Sequence, residues 1–329
     1  MNTPARQSMT SSLRNTIFYS VKPLLPRPVQ LFLRRAIARQ KRAQYADVWP
    51  ILQSASVKPE AWKGWPDNKQ FALVLCHDVD TQRGHDKCRL LADLEAELGV
   101  RSAFNFVPER YTVSRALQQE LVSRGFEIGI HGLKHDGKLF RSWESFLADA
   151  GKVNAYIKQW NVEGFSSPSM MHNLSWMHLL NITWDISTFD TDPFEPQPDG
   201  VGTIFPFVVK NEGNRKAFIE LPYTLCQDFT LYVVMREKTI DIWKKKLAWV
   251  AQHGGMVLLN SHPDYMNLSN KKCNAEEYPS VFYRDFIKHI QSEYTGAYWH
   301  ALPRDVAQYC LRQQALDPEY PLATRKHTR

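Results

Sequence analysis

Four apolar stretches of this sequence end on groups able to hold a metal ion or move a proton. FALVLC (71–76) runs into His77-Asp78-Val79-Asp80. EIGIH (127–131) ends on His131 and continues as Gly132-Leu133-Lys134-His135. TWDIS (183–187) leads to Asp190 and Asp192, and MVLLNS (256–261) leads to His262-Pro263-Asp264. His131 and His135 are four residues apart, a spacing that points two imidazoles the same way on one turn. Two neutral imidazoles and one carboxylate leave a divalent ion with open positions, which is a catalytic arrangement rather than a closed structural one; zinc is the default. Alone, the pair would read more readily as two surface histidines. Asp78 and Asp80 are alternate residues, so both share a face of an extended segment. One can bind the ion while the other takes a proton, or either can cap the next helix. His262 has an imidazole suited to protonating a leaving group, and Asp190 is a candidate to hold its tautomer. The other reading of His262 is a satisfied histidine at the end of a buried strand. Phe194, in the proline-rich TDPFEPQPDG (191–200), is either a platform for a sugar ring or part of a connection.

The elements that must position these groups alternate. Apolar runs at 71–76, 102–107, 127–131, 164–167, 183–187, 218–223 and 256–262 read as strands. Helical spacing covers 84–98, 114–124, 141–160, 239–253, 279–293 and 303–313. Strand and helix in alternation mean a parallel sheet, open or closed into a barrel, with the site at the C-terminal strand ends. In a barrel those ends converge on one rim, although over a hundred residues separate them in sequence.

Composition excludes other classes. The chain has 329 residues, 43% hydrophobic and 23% charged, an ordinary globular balance. Its 5 cysteines are scattered with no C-x-x-C pair, which argues against a disulfide framework and for a reducing compartment. The net charge of +7 is local: residues 1–45 hold nine Lys or Arg and no acidic residue. Removing those nine from 41 leaves 32 basic residues against 34 acidic, so no nucleic-acid-binding face is expected on the main domain. The apolar patch at 17–25 is cut by Lys22 and Pro23, which reads against a secretory leader, and no run suits a membrane span. Residues 28–43 read as a helix with Val29, Phe32, Leu33, Ala36 and Ala43 on one face, interrupted by Gln40. Arg34, Arg35, Lys41 and Arg42 lie opposite, with Leu31 and Ala38 among them. Such a helix either lies on anionic lipid or docks on its own domain with solvated arginines. The expected organisation is a basic N-terminal helical arm (1–69), a (β/α) barrel (70–315) and a C-terminal tail (316–329). The expected location is cytoplasmic, with peripheral contact at the inner membrane face through 28–43.

Across roughly residues 70–310 the sequence resembles the polysaccharide deacetylases of carbohydrate esterase family four. CHDVD (76–80) is similar to that family's first motif, which implies Asp78 as base and Asp80 as metal ligand. His131 to His135 resembles its His-(Ser/Thr)-x-x-His motif, with Gly132 in place of the hydroxyl residue. WDISTFDT (184–191) and LLNSH (258–262) are similar to later motifs and imply roles for Asp190 and His262. The family's Arg-x-Pro-Tyr is here Ser166-Ser167-Pro168-Ser169, so the arginine that holds the base is absent. Either another cation such as Arg83 substitutes, or activity is weakened. The resemblance implies an α/β fold, a distorted seven-stranded (β/α) barrel with the helical arm in front. It implies a metal-dependent hydrolase that removes acetyl from an N-acetylated sugar or glycan in cell-envelope polysaccharide metabolism. Asp80, His131 and His135 would bind the ion, and Asp78, His262 and Asp190 would act in catalysis. Phe194, Pro168 and Ser169 would contact substrate, with a backbone N–H near Ser169 at the oxyanion. Two other readings stay open: a catalytically degenerate glycan-binding scaffold, and a C–N hydrolase of a small cyclic amide.

Overall fold

Alternation along each strand decides which side chains enter the barrel. The computed structural model describes residues 26–210, 216–269 and 271–316. In β1 (Phe71–Val79), Phe71, Leu73 and Leu75 join the outer core beneath the helices, whereas Ala72, Val74 and Cys76 join the inner core. Asp78 therefore falls on the inner face at the C-terminal end. The same parity holds in β2 (Ala103–Phe106), where Ala103 faces inward and Phe104 and Phe106 outward. It recurs in β8 (Met256–Ser261), with Met256 and Leu258 inside and Val257 and Leu259 outside.

The main sheet has nine strands. β8 pairs with β1, which continues through β2, β3 (Glu127–His131), β4 (Gly164–Ser166), β5 (Trp184–Asp185) and β7 (Phe218–Glu220), all parallel. A parallel bridge from Leu225 to Leu259 brings the chain beyond β7 onto β8, so the sheet curls round toward itself. These seven parallel strands are the barrel expected from the sequence. Two further strands were not anticipated: β6 (Phe207–Val209), antiparallel on β7, and β11 (Tyr298–His300), parallel to the start of β1. β9 (Met266–Asn267) and β10 (Tyr278–Pro279) form a separate two-stranded sheet.

The helices are α1 (Arg27–Gln44), α2 (Gln82–Glu97), α3 (Arg115–Ser123), α4 (Trp143–Trp160), α5 (Leu174–Met177), α6 (Asp241–His253), α7 (Val281–Glu293) and α8 (Pro303–Leu316). Serine hydroxyls at Ser114 and Ser142 accept the backbone N–H groups of Leu117 and Ser145, capping α3 and α4. Trp184 lies in the inner core, and a Cβ on Gly164 would stand 1.8 Å from its ring, so the small residue makes room for the large one. Val306, Ala307 and Cys310 of α8 join the same cluster. All five cysteines are free, four of them buried.

Helix α1 forms as expected but docks with an unexpected face. Leu31 and Ala38 are buried, and the basic side chains around them turn toward the barrel. Arg35 donates to the Val233 carbonyl at 3.0 and 3.2 Å, Arg42 pairs with Glu237, Arg27 pairs with Glu276, and Arg34 lies 5.5 Å from the Phe229 ring centroid. The expectation of solvated arginines on a docked helix is corrected: the arginines are engaged and the apolar face is outside. No helix among the described residues is long and apolar enough to cross a membrane. Residues 1–25 of the arm and 317–329 of the tail lie outside the described residues.

Candidate active site

The rim of the barrel opens into a cavity of about 680 Å³ lined by Asp78, Asp80, His131, His135 and His262, with α1 forming part of its wall. Asp80, His131 and His135 each offer one ligand atom, all within 4.8 Å of one another. Asp80 Oδ1 stands 3.0 Å from His135 Nε2 and 3.4 Å from His131 Nε2. It is buried and makes no well-aligned hydrogen bond. The partner oxygen, Oδ2, accepts from the Tyr265 hydroxyl at 3.1 Å. His131 Nδ1 sits 3.1 Å from the Ser166 carbonyl, so that nitrogen donates and Nε2 keeps its lone pair toward Asp80. An orphaned carboxylate oxygen facing two imidazole nitrogens fits a divalent ion with N and O ligands.

Local backbone explains how these ligands are presented. Gly132 has φ of +61°, and a Cβ there would lie 2.6 Å from the Pro168 ring, so glycine rather than a hydroxyl residue follows His131. His135 has φ of +55°, a conformation costly for a non-glycine residue and kept where structure over-determines it. Behind Asp80, Asp264 accepts from its backbone N–H at 2.9 Å and from the Thr81 hydroxyl. A Cβ on Gly84 would fall 2.0 Å from Asp264 Oδ2, which explains the glycine in the first turn of α2.

Electrostatics follow from the pairing. Burial works against the Asp80 charge, yet the neighbouring His135 and His131 hold its carboxyl well below the usual carboxylate range. Burial would lower His262, but the Asp228 carboxylate carries it up to about 10. His131 is raised against the same opposing burial, by Asp78 first and then Asp80.

Three neutral donors surround Asp78. Asn105 Nδ2 donates to Oδ1 at 2.9 Å, while Asn260 Nδ2 at 2.6 Å and Ser166 Oγ at 3.0 Å donate to Oδ2. Arg83 does not take the place of the absent arginine; it lies 3.9 Å from Glu276 and against the Tyr265 ring. An ionised carboxylate has roughly four acceptor positions, so one remains on Asp78 for a proton. Asn105 and Asn260 were not singled out in the sequence. Their signal was available: both occupy inward positions at strand ends, in register with Asp78 and Cys76.

Asp190 is not the partner of His262. Asp228 holds that ring, with Oδ1 2.7 Å from Nδ1 and Oδ2 accepting the His262 backbone N–H at 2.9 Å. The Tyr278 hydroxyl donates to Asp228 at 3.0 Å. Asp190 instead pairs with Lys246, both fully buried and away from the cavity lining. Lys246 also donates to the Pro50 carbonyl, tying the arm to the barrel. Asp228 went unseen because it lies in CQDFT, five residues beyond the 218–223 strand, at the start of a π-helical turn (Phe229–Val234). Lys246→Met should cost about 3–5 kcal/mol in chemical denaturation, because it leaves a buried carboxylate unpaired. The double change with Asp190→Asn should recover much of that loss; equal costs for single and double variants would refute the pairing's structural role.

Ser169 and Phe194 line the cavity, Phe194 edge-on to Trp49 with centroids 5.0 Å apart. Pro168 does not; it packs on Gly132 and lines a smaller recess beside His135.

No model of a known protein family matches this sequence, and no curated protein matches it. Solved structures do. A protein from Mycobacterium smegmatis assigned as a polysaccharide deacetylase superposes with a TM-score of 0.61 at 18% identity, covering 83% of this chain and 99% of that one. Puue allantoinase gives a TM-score of 0.55 at 13% identity, over 78% of this chain and 94% of that one. A protein from Pseudomonas aeruginosa PAO1, also assigned as a polysaccharide deacetylase, gives 0.54 at 13% identity, over 78% and 94%. From residue 71 onward, with its parallel strands delivering Asp78, Asp80, His131 and His262 to one rim, this chain has the polysaccharide deacetylase fold.

Proposed function

We propose that the protein is a metal-dependent hydrolase that removes the acetyl group from an N-acetylated sugar or glycan, as a divergent relative of carbohydrate esterase family four. The observation that carries this reading is the orphaned Asp80 oxygen facing the His131 and His135 nitrogens, with Asp78 and His262 lining the same cavity. Asp80, His131 and His135 would hold the ion, zinc by default. When bound, the ion polarises an amide carbonyl and acidifies its water. Asp78, kept in place by Asn105, Asn260 and Ser166, accepts the proton of the attacking water. His262, oriented and charged by Asp228, donates a proton to the departing amine. Backbone near Ser169 and the ring of Phe194 support the substrate side of the cavity. Acetate and a free amino sugar are the products. Cell-envelope polysaccharide metabolism is the natural setting for such a substrate.

The fold shared with an allantoinase favours a second reading, hydrolysis of a small cyclic amide. The test is acetate release by the zinc-loaded full chain from a panel of acetylamino sugars, run beside ring opening of a cyclic amide. Turnover of an acetylated sugar above the rate without protein is the expected result. Ring opening without acetate release would install the second reading. Neither activity would leave a glycan-binding scaffold.

A further inference from the structure

The apolar face of α1 is turned to solvent. Val29 is 42% exposed, Phe32 64%, Leu33 40% and Ile37 52%, and Ala36 between them is exposed as well. An amphipathic helix ordinarily buries that stripe and solvates its charges. Here the order is reversed. Arg27, Arg34, Arg35, Lys41 and Arg42 are engaged with carbonyls, carboxylates or an aromatic ring of the barrel. Four large apolar side chains on one helix, turned away from their own core, mark a surface with an outside partner.

We propose that α1 seats this domain on an anionic lipid surface, with the cavity opening at the edge of that contact. Charge selects this partner. Residues 1–45 contain nine basic and no acidic residues; the barrel holds Arg27, Arg34, Arg35, Lys41 and Arg42, while Arg39 is exposed on the helix and Arg6, Arg14 and Lys22 precede it. A polybasic segment beside an exposed Phe, Leu, Ile and Val stripe matches the two requirements for interfacial attachment: apolar area for the acyl boundary and cations for the head groups. Ile37 also lines the cavity, so lipid contact and cavity mouth are contiguous. A glycan carried on a lipid anchor would then reach the site without leaving the surface. The attachment itself does not depend on the deacetylase reading.

The experiment is co-sedimentation of the full chain with vesicles of phosphatidylcholine, alone or containing phosphatidylglycerol. Binding is expected only to the anionic vesicles and should fall sharply at about 0.5 M NaCl. Phe32→Ser with Leu33→Ser, both exposed and outside the cavity lining, should weaken binding by roughly tenfold or more with an unchanged unfolding midpoint. Three results would overturn the proposal. The wild type could stay in the supernatant with anionic vesicles. The double variant could bind as the wild type does, which would leave attachment to residues 1–25. The wild type could run as a dimer that the double variant abolishes, which would make this face a contact between two copies.

Discussion

Asp78→Asn is expected to lower acetate release by about 10²–10⁴-fold while leaving metal content unchanged. The substitution keeps the shape of the side chain and its hydrogen bonding to Asn105 and Ser166 within reach, but removes the proton acceptor. His262→Ala is expected to produce a comparable loss, since it removes the proton donor and touches none of the ion's ligands. Asp228→Asn separates position from charge. The Asp228 carboxylate raises His262 to about 10, so its loss must lower the pH at which the imidazolium gives up its proton. A donor must be protonated to act, so the alkaline limb of the rate profile should move to lower pH in Asp228→Asn. A bound divalent ion lowers the starting position of that limb, not the direction of the shift. Unchanged turnover in Asp78→Asn would refute its role as base. An unshifted alkaline limb in Asp228→Asn would refute His262 as the donor.

Asp78, His131 and His262 could be read from sequence for one physical reason. Each follows or ends an uninterrupted apolar run, and period-two alternation then fixes the face. Counting inward from Val74 or Leu258 reaches Asp78 and His262 on the barrel side without any structure. The same count would have found Asn105 and Asn260, which were passed over because amides carry no titratable group. What could not be read was anything set by contact between distant segments. Asp190 and Asp228 have similar local credentials, and only the curl of the sheet decides which meets the His262 ring. The helix at 27–44 showed its amphipathic pattern plainly, yet pattern alone cannot say which face docks. Here the acidic residues around the barrel rim, such as Glu237 and Glu276, capture the cationic side.

Asp80→Ala should abolish stoichiometric binding of a divalent ion, and with it the metal's contribution to stability. Asp80 supplies the carboxylate oxygen of the site, and its second oxygen is already engaged by Tyr265. Among the described residues no other carboxylate completes the group of three: Asp78 is tied by Asn105, Asn260 and Ser166, and Asp264 is turned onto the Asp80 backbone and Thr81. Two imidazoles, those of His131 and His135, would remain at the cavity wall. An ion that binds only the folded chain, present at about 1,000 times its Kd, adds roughly 4 kcal/mol to stability. For a domain of this size that is on the order of ten degrees in Tm. Chelation of the wild type should therefore lower Tm by that amount, and added zinc should restore it. In Asp80→Ala both treatments should leave Tm unmoved. In the ion-free wild type Asp80 is still paired with His135 and His131, which hold its carboxyl well below the usual range, and that pairing favours the folded state. Asp80→Ala, which loses that pairing and leaves the Tyr265 hydroxyl without its acceptor, should thus melt at or below the chelated wild type. Equal metal content in variant and wild type, by elemental analysis of the pure proteins, would remove Asp80 from the ligand set and the proposed hydrolase with it.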